Sequence, residues 1–135
     1  MSILKTKIDY TLFEKYDKEY FIENKIVPIY EDSISLKIAI CSSSNIEKIK
    51  DNFIKIINFI EEKEHDILFI LANIEKRVIL HKAALKSISS NNNEKFTSYF
   101  LDELILYSIE QRASDIHIEK YQDLCLFKFR VDGRL

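Results

Sequence analysis

The sequence predicts an α+β (α/β-like) chain: a small three-stranded mixed sheet with packed helices, then a partial second α+β unit of one helix and a β-hairpin. Three observations carry this expectation. Ile34, Leu36, Ile38 and Ile40 alternate with Ser35, Lys37, Ala39 and Cys41, the period of a strand with one buried face. Ile46, Ile49, Phe53, Ile56, Ile57 and Ile60 fall at helical spacing behind a Ser44–Glu47 pair of capping-box type. Residues 113–119 and 127–131 return to a period of two on either side of a short polar segment.

In chain order, residues 1–8 read as a strand or loose leader. Thr11 and Glu14 have capping-box spacing and open a short helix through about Phe21, with Phe13, Tyr16 and Tyr20 on one stripe. Such a stripe serves as a docking face or as core, and core is favoured. Lys25–Tyr30 is a short strand whose Pro28 has no amide to donate, so it belongs at a sheet edge. Glu31-Asp32-Ser33 is the turn before the alternating strand. The next helix is expected to run through Ile60, with Lys48, Lys55, Asn58 and Glu62 outward. The serines before it are read as capping, since no glycine there permits close approach of a phosphate. Residues 61–66 are a mixed-charge connection, Ile67–Leu71 a continuous apolar strand, and Asn73 caps a helix bearing Ile74, Val78, Leu85 and Ile88. His65 and His81 lack a second ligand at metal-binding spacing and read as ordinary surface residues. These six elements define a domain over 1–88, a polar linker over 89–95 and a second unit over 96–135.

Composition excludes several functions. A net charge of −2 with interleaved signs leaves no basic footprint for nucleic acid. No apolar run is long enough to span a bilayer, and no signal-peptide pattern opens the chain. Cys41 and Cys125 form neither a disulfide framework nor a zinc pair and read as reduced thiols. Gly133 is the one glycine, so neither a P-loop nor a dinucleotide-binding turn can be built. The chain is therefore expected to be no enzyme of the nucleotide-hydrolysing kind and to carry no cofactor.

In the second unit, Phe96, Phe100, Leu104 and Tyr107 share a helical face, widened by Leu101, Ile105 and Ile109. On the first strand Asp115, His117 and Glu119 point one way, Ile116 and Ile118 the other. On the second, Lys128 and Arg130 oppose Phe127, Phe129 and Val131. Lys120–Asp123 forms the intervening turn, and Asp132-Gly133 suits a tight hairpin turn into a third strand. With that strand missing, the unit is expected to be incomplete, either poorly ordered or paired with a second copy through residues 96–135. The acidic-His face admits two readings, a metal or acid/base triad and a polar strand face meeting a neighbour. Alternate side chains stand about 7 Å apart at their bases, which favours the second.

Ala113-Ser114-Asp115-Ile116-His117-Ile118-Glu119, a spacer, and Phe129-Arg130-Val131-Asp132-Gly133 resemble the signature opening the nucleotide-proximal, PAS-like N-terminal domain of the secretion-superfamily ATPases. That family includes the type II secretion and type IV pilus assembly ATPases. The resemblance covers residues 96–135, with Ser114, Asp115, His117, Glu119, Asp132 and Gly133 as signature positions. It implies that Arg130 reaches toward nucleotide phosphates or a neighbouring subunit, as a planar cationic fork suits. Lys128 stands where the family often has a second arginine. The parent is implied to be a hexameric ATPase using ATP and magnesium, with its RecA-like motor following this region.

Residues 1–88 lack the Arg-Leu-Gly repeats by which some pilus ATPases bind cyclic dinucleotide, and Arg77 is their one arginine. No cyclic dinucleotide is expected. The implied function is a non-catalytic adaptor, with 1–88 as a partner-docking domain that binds the cytoplasmic domain of an inner-membrane assembly protein. The chain would then be cytoplasmic and peripheral to that membrane. The alternatives are a small metal-dependent hydrolase using Asp115, His117 and Glu119, and a stand-alone interaction protein.

Overall fold

A computed structural model describes residues 3–89, 93–120 and 125–131. Helices and strands combine as the sequence predicts, with a three-stranded mixed sheet and a separate two-stranded antiparallel hairpin. Contacts cluster into two compact units, Met1–Ile74 and Glu75–Leu135. This division falls earlier than the expected one at residue 88. It groups the long helix after Asn73 with the second unit.

The first unit begins with a 3-10 turn, Ile3–Lys5, in place of a leader strand. The helix expected through Phe21 is broken into α1 (Leu12–Lys15) and α2 (Lys18–Asn24), because Tyr16 takes an extended backbone between them. Thr11 does not cap α1. Its backbone N–H and hydroxyl both donate to Asp9 Oδ1, at 3.1 and 2.6 Å, so Asp9 organises the entry. Asp17 caps α2 by accepting from the Glu19 amide, and Lys25 ends it in the left-handed conformation at φ 54°.

Strand β1 (Val27–Glu31) is an edge strand, as Pro28 requires, and pairs antiparallel with β2 (Ser35–Ile40). A register shift between Pro28 and Tyr30 leaves Ile29 unpaired in the ladder, and its carbonyl accepts from the Asp9 amide at 2.9 Å. Asp32 holds the β1–β2 turn by accepting from the amides of Ile34 and Ser35. Leu36, Ile38 and Ile40 are buried as the alternation predicts, but Ile34 lies outside the strand and is exposed.

The long amphipathic helix expected over residues 46–60 is a correction. Only Ile46–Asp51 is helical (α3), and Ile56–Glu61 is strand β3, parallel to β2. The run Ile-Ile-Asn-Phe-Ile is rich in residues that fit a pleated surface, and its backbone finds partners in β2. The cap is also reassigned. Asn45 accepts from the Lys48 amide at 3.2 Å, while Ser44 Oγ accepts from the Cys41 amide.

The strand expected at Ile67–Leu71 is likewise corrected, since these residues lie within helix α4 (Glu64–Ala72). Glu64 and Asp66 sit in its first turn, where carboxylates favour the positive end of a helix. The mixed-charge connection thus ends one element and opens the next. Asn73 closes α4, its side-chain amide donating to the Phe69 carbonyl, before α5 (Ile74–Ser89).

The core of the first unit gathers Ile3, Leu12, Phe13, Phe21, Ile26, Val27, Leu36, Ile38, Ile49, Ile67 and Ile70. Phe13 meets Phe21 edge-on at 5.3 Å, and Tyr16 and Tyr20 both pack edge-on against Phe53. The aromatic stripe is therefore packed within its own unit.

In the second unit, α6 (Asn93–Glu110) ends where Arg112 adopts φ 56° and its amide bonds the Ile109 carbonyl. Strands β4 (Ala113–Lys120) and β5 (Cys125–Val131) follow as an antiparallel hairpin. Phe100 meets Phe127 at 5.6 Å and Tyr107 meets Phe129 at 5.2 Å, both edge-on, so α6 covers the apolar face of the hairpin. Leu101, Ile105 and Ile109 are left exposed on another side of the helix. The leader residues 1–2, the middle of the expected linker (90–92), the turn residues 121–123 and Asp132-Gly133 lie outside the described residues, as does the Phe96 side chain.

Candidate functional site

The polar face of the β4–β5 hairpin brings together five of the residues singled out by sequence. Antiparallel register sets Asp115 opposite Arg130 and His117 opposite Lys128, with a shift at Ser114. Side chains then interleave along the diagonal. Lys128 Nζ donates to Glu119 Oε1 at 2.8 Å. His117 Nε2 lies 3.0 Å from Asp115 Oδ1 and 3.3 Å from Arg130 Nη2, and Arg130 Nε lies 3.5 Å from Asp115 Oδ2. A protonated Nε2 donates to Asp115, whereas an unprotonated Nε2 accepts from Arg130. Ser114 Oγ donates to the Arg130 carbonyl at 3.4 Å, tying the shifted residue to β5.

The result is an alternating ladder of two carboxylates, two cations and one imidazole on a half-exposed surface. Each such exposed pair contributes about 0–1 kcal/mol, so the ladder's main effect is to fix side-chain positions. Cations occupy the spaces between the acids, so the three acidic-His side chains do not converge on a common point. Among the described residues, no group of three or more His, Cys, Asp or Glu is placed to hold a metal ion. The signature residues Asp132 and Gly133 lie outside the described part.

Two clusters in the first unit escape sequence reasoning. Glu31, at the end of β1, accepts from Lys15 Nζ, from the Tyr16 hydroxyl at 2.6 Å and from Lys55 Nζ at 2.9 Å. Burial alone would raise its carboxyl, but these hydrogen bonds outweigh burial and hold it at about 2. Burial, then the hydrogen bond to Glu31 and its charge, push the Tyr16 phenol up to about 12. No local motif announces this cluster, because its members come from α1, β1 and the segment before β3.

The second cluster surrounds Cys41, which is buried. Its Sγ lies 3.2 Å from Ser43 Oγ and 3.6 Å from Ser44 Oγ, and Ser43 Oγ donates to Glu64 Oε1, as does Lys25 Nζ. Burial raises the thiol, but the serine hydrogen bonds outweigh it and leave it below its ordinary value. Cys125, at the start of β5, is exposed.

No family model and no curated protein matches the chain. Among the described residues, no helix is long and apolar enough to cross a membrane.

Proposed function

We propose that the chain is a non-catalytic N-terminal adaptor module of a secretion or pilus assembly ATPase. In this reading residues 1–88 dock the motor onto the cytoplasmic domain of an inner-membrane assembly protein. The parent is a hexamer that uses ATP and magnesium, and the module is cytoplasmic, held at the membrane through its partner. The observation that carries the reading is the hairpin itself. The motif residues Asp115, His117 and Glu119 interleave with Lys128 and Arg130 on one face, while the other face is closed by α6. A paired, charge-balanced face suits recognition of a neighbouring domain better than proton transfer, because its acids are already engaged by cations.

The test is calorimetric titration of the purified chain with the cytoplasmic domain of an inner-membrane secretion or pilus assembly protein from the same organism. Saturable micromolar binding is expected, and its absence overturns the docking role. Reading the coding sequence past Leu135 provides an independent arm, since a Gly-x-x-x-x-Gly-Lys-Ser/Thr motif there is required by the reading. The isolated chain is expected to hydrolyse no ATP. Metal-dependent turnover abolished by His117→Ala would replace the adaptor with a hydrolase.

A further inference from the structure

We propose that the outer edge of β3, which pairs with no other strand among the described residues, pairs antiparallel with β3 of a second copy of this chain, about a two-fold axis at Asn58. The inference is independent of the adaptor reading. It starts from a difference between the two edges of the first sheet. The β1 edge is interrupted by Pro28 and a register shift, and the Asp9 amide occupies the Ile29 carbonyl. These are the devices by which edge strands avoid further pairing. The β3 edge has none of them. Its sequence Ile56-Ile57-Asn58-Phe59-Ile60-Glu61 contains no proline, no glycine and no register shift, and no residue in it is fully buried.

Backbone chemistry defines what this edge accepts. The amides of Ile56 and Glu62 donate inward, to the carbonyls of Ile34 and Ile40 at 3.0 and 2.7 Å. By alternation, Ile57, Phe59 and Glu61 turn their N–H and C=O groups to the open side. The ligand is therefore an extended strand, and the side chains favour a second copy of β3 itself. With Asn58 on the axis, Ile57 faces the second copy's Phe59 through a hydrogen-bonded pair, and Ile56 faces its Ile60. Lys55 meets the second copy's Glu61 at both ends of the ladder, beside the Glu31 acid that Lys55 already binds. Every opposed pair is then apolar with apolar, amide with amide or cation with anion. Ile56, 66% exposed, gains cover in the process. An isologous contact of this kind closes at two copies and joins two three-stranded sheets into one of six strands. Because one strand per side is a narrow interface, association in the micromolar range is expected.

The experiment is sedimentation equilibrium of the full chain up to roughly 200 μM, with Asn58→Lys and Asn58→Asp variants. Asn58 is exposed, so each variant is expected to keep the fold, checked by circular dichroism. Either variant alone places like charges opposite each other on the axis and is expected to weaken dimerisation by about fivefold. An equimolar mixture of the two is expected to restore it, since opposite charges then meet. Hydrogen exchange on the unaltered chain gives a second readout, with the amides of Ile57, Phe59 and Glu61 gaining protection as concentration rises. A chain that stays monomeric with these amides unprotected overturns the proposal. So does a dimer that neither variant weakens, which would place association elsewhere, such as residues 96–135. Failure of the mixture to recover overturns the register.

Discussion

Glu31 shows how one side chain can hold three segments that the sequence keeps apart. Its carboxylate receives the end of α1 through Lys15 and Tyr16, and the approach to β3 through Lys55. Replacing it by glutamine keeps the shape but removes the charge and one acceptor oxygen, so Lys15 and Lys55 lose their shared counter-charge while Lys55 keeps its bond to the Asp32 carbonyl. Glu31→Gln is expected to lower stability by about 1–3 kcal/mol at neutral pH, measured by urea unfolding. Its carboxyl lies near 2 when folded, below its ordinary 4.5. The stabilisation is therefore complete above that ordinary value and is lost as pH falls toward 2. The gap between the parent chain and the variant should close over the same interval. A gap that persists unchanged at pH 2 would mean the contribution is not electrostatic.

At the scale of elements, the sequence was most legible where one signal stood alone. Leu36, Ile38 and Ile40 alternate without competition, and the strand is there; Pro28 demanded an edge, and β1 is one. The pattern is ambiguous where two periods share residues. Ile49, Phe53, Ile56, Ile57 and Ile60 fit a helical face, yet from Ile56 onward the same residues serve a strand. No glycine or proline at 52–55 marks the change, so only pairing with β2 decides it. Ile67–Leu71 shows the converse, because a short apolar run is compatible with either element until its flanks are weighed. There the carboxylates of Glu64 and Asp66, in the first turn of α4, are the flanking signal for a helix. The hairpin site was legible in its facing, since period two alone sorts its side chains. Its pairing was not, because the shift at Ser114 decides which acid meets which cation. Cap assignment gives a direct check on α3. Asn45→Ala is expected to cost about 1 kcal/mol, and Glu47→Ala far less, since no box closes on Ser44. Equal losses would restore the capping-box reading.

At the scale of the whole molecule, the division after Ile74 separates a unit with its own sheet and aromatic core from a helix-backed hairpin. The first unit holds the three-stranded sheet and the side-chain caps of α2 and α3 within its own bounds. A chain ending at Ile74 is therefore expected to melt cooperatively by circular dichroism. If only a chain ending at Ser89 does so, α5 belongs with the first unit, as the sequence pattern suggests.

The sheet also has a temporal consequence. Its spatial order, β1-β2-β3, is the order in which the chain presents the strands, and neither pairing skips a strand. The β1–β2 hairpin can close first across a short turn held by Asp32, and β3 then arrives on the far side of β2 through the compact α3 crossover. No late strand must thread between two already joined. Both closures span short stretches of chain, so each costs little loop entropy, the antiparallel hairpin less than the parallel crossover. Asp32→Ala is therefore expected to slow refolding more than it speeds unfolding, read by stopped-flow circular dichroism.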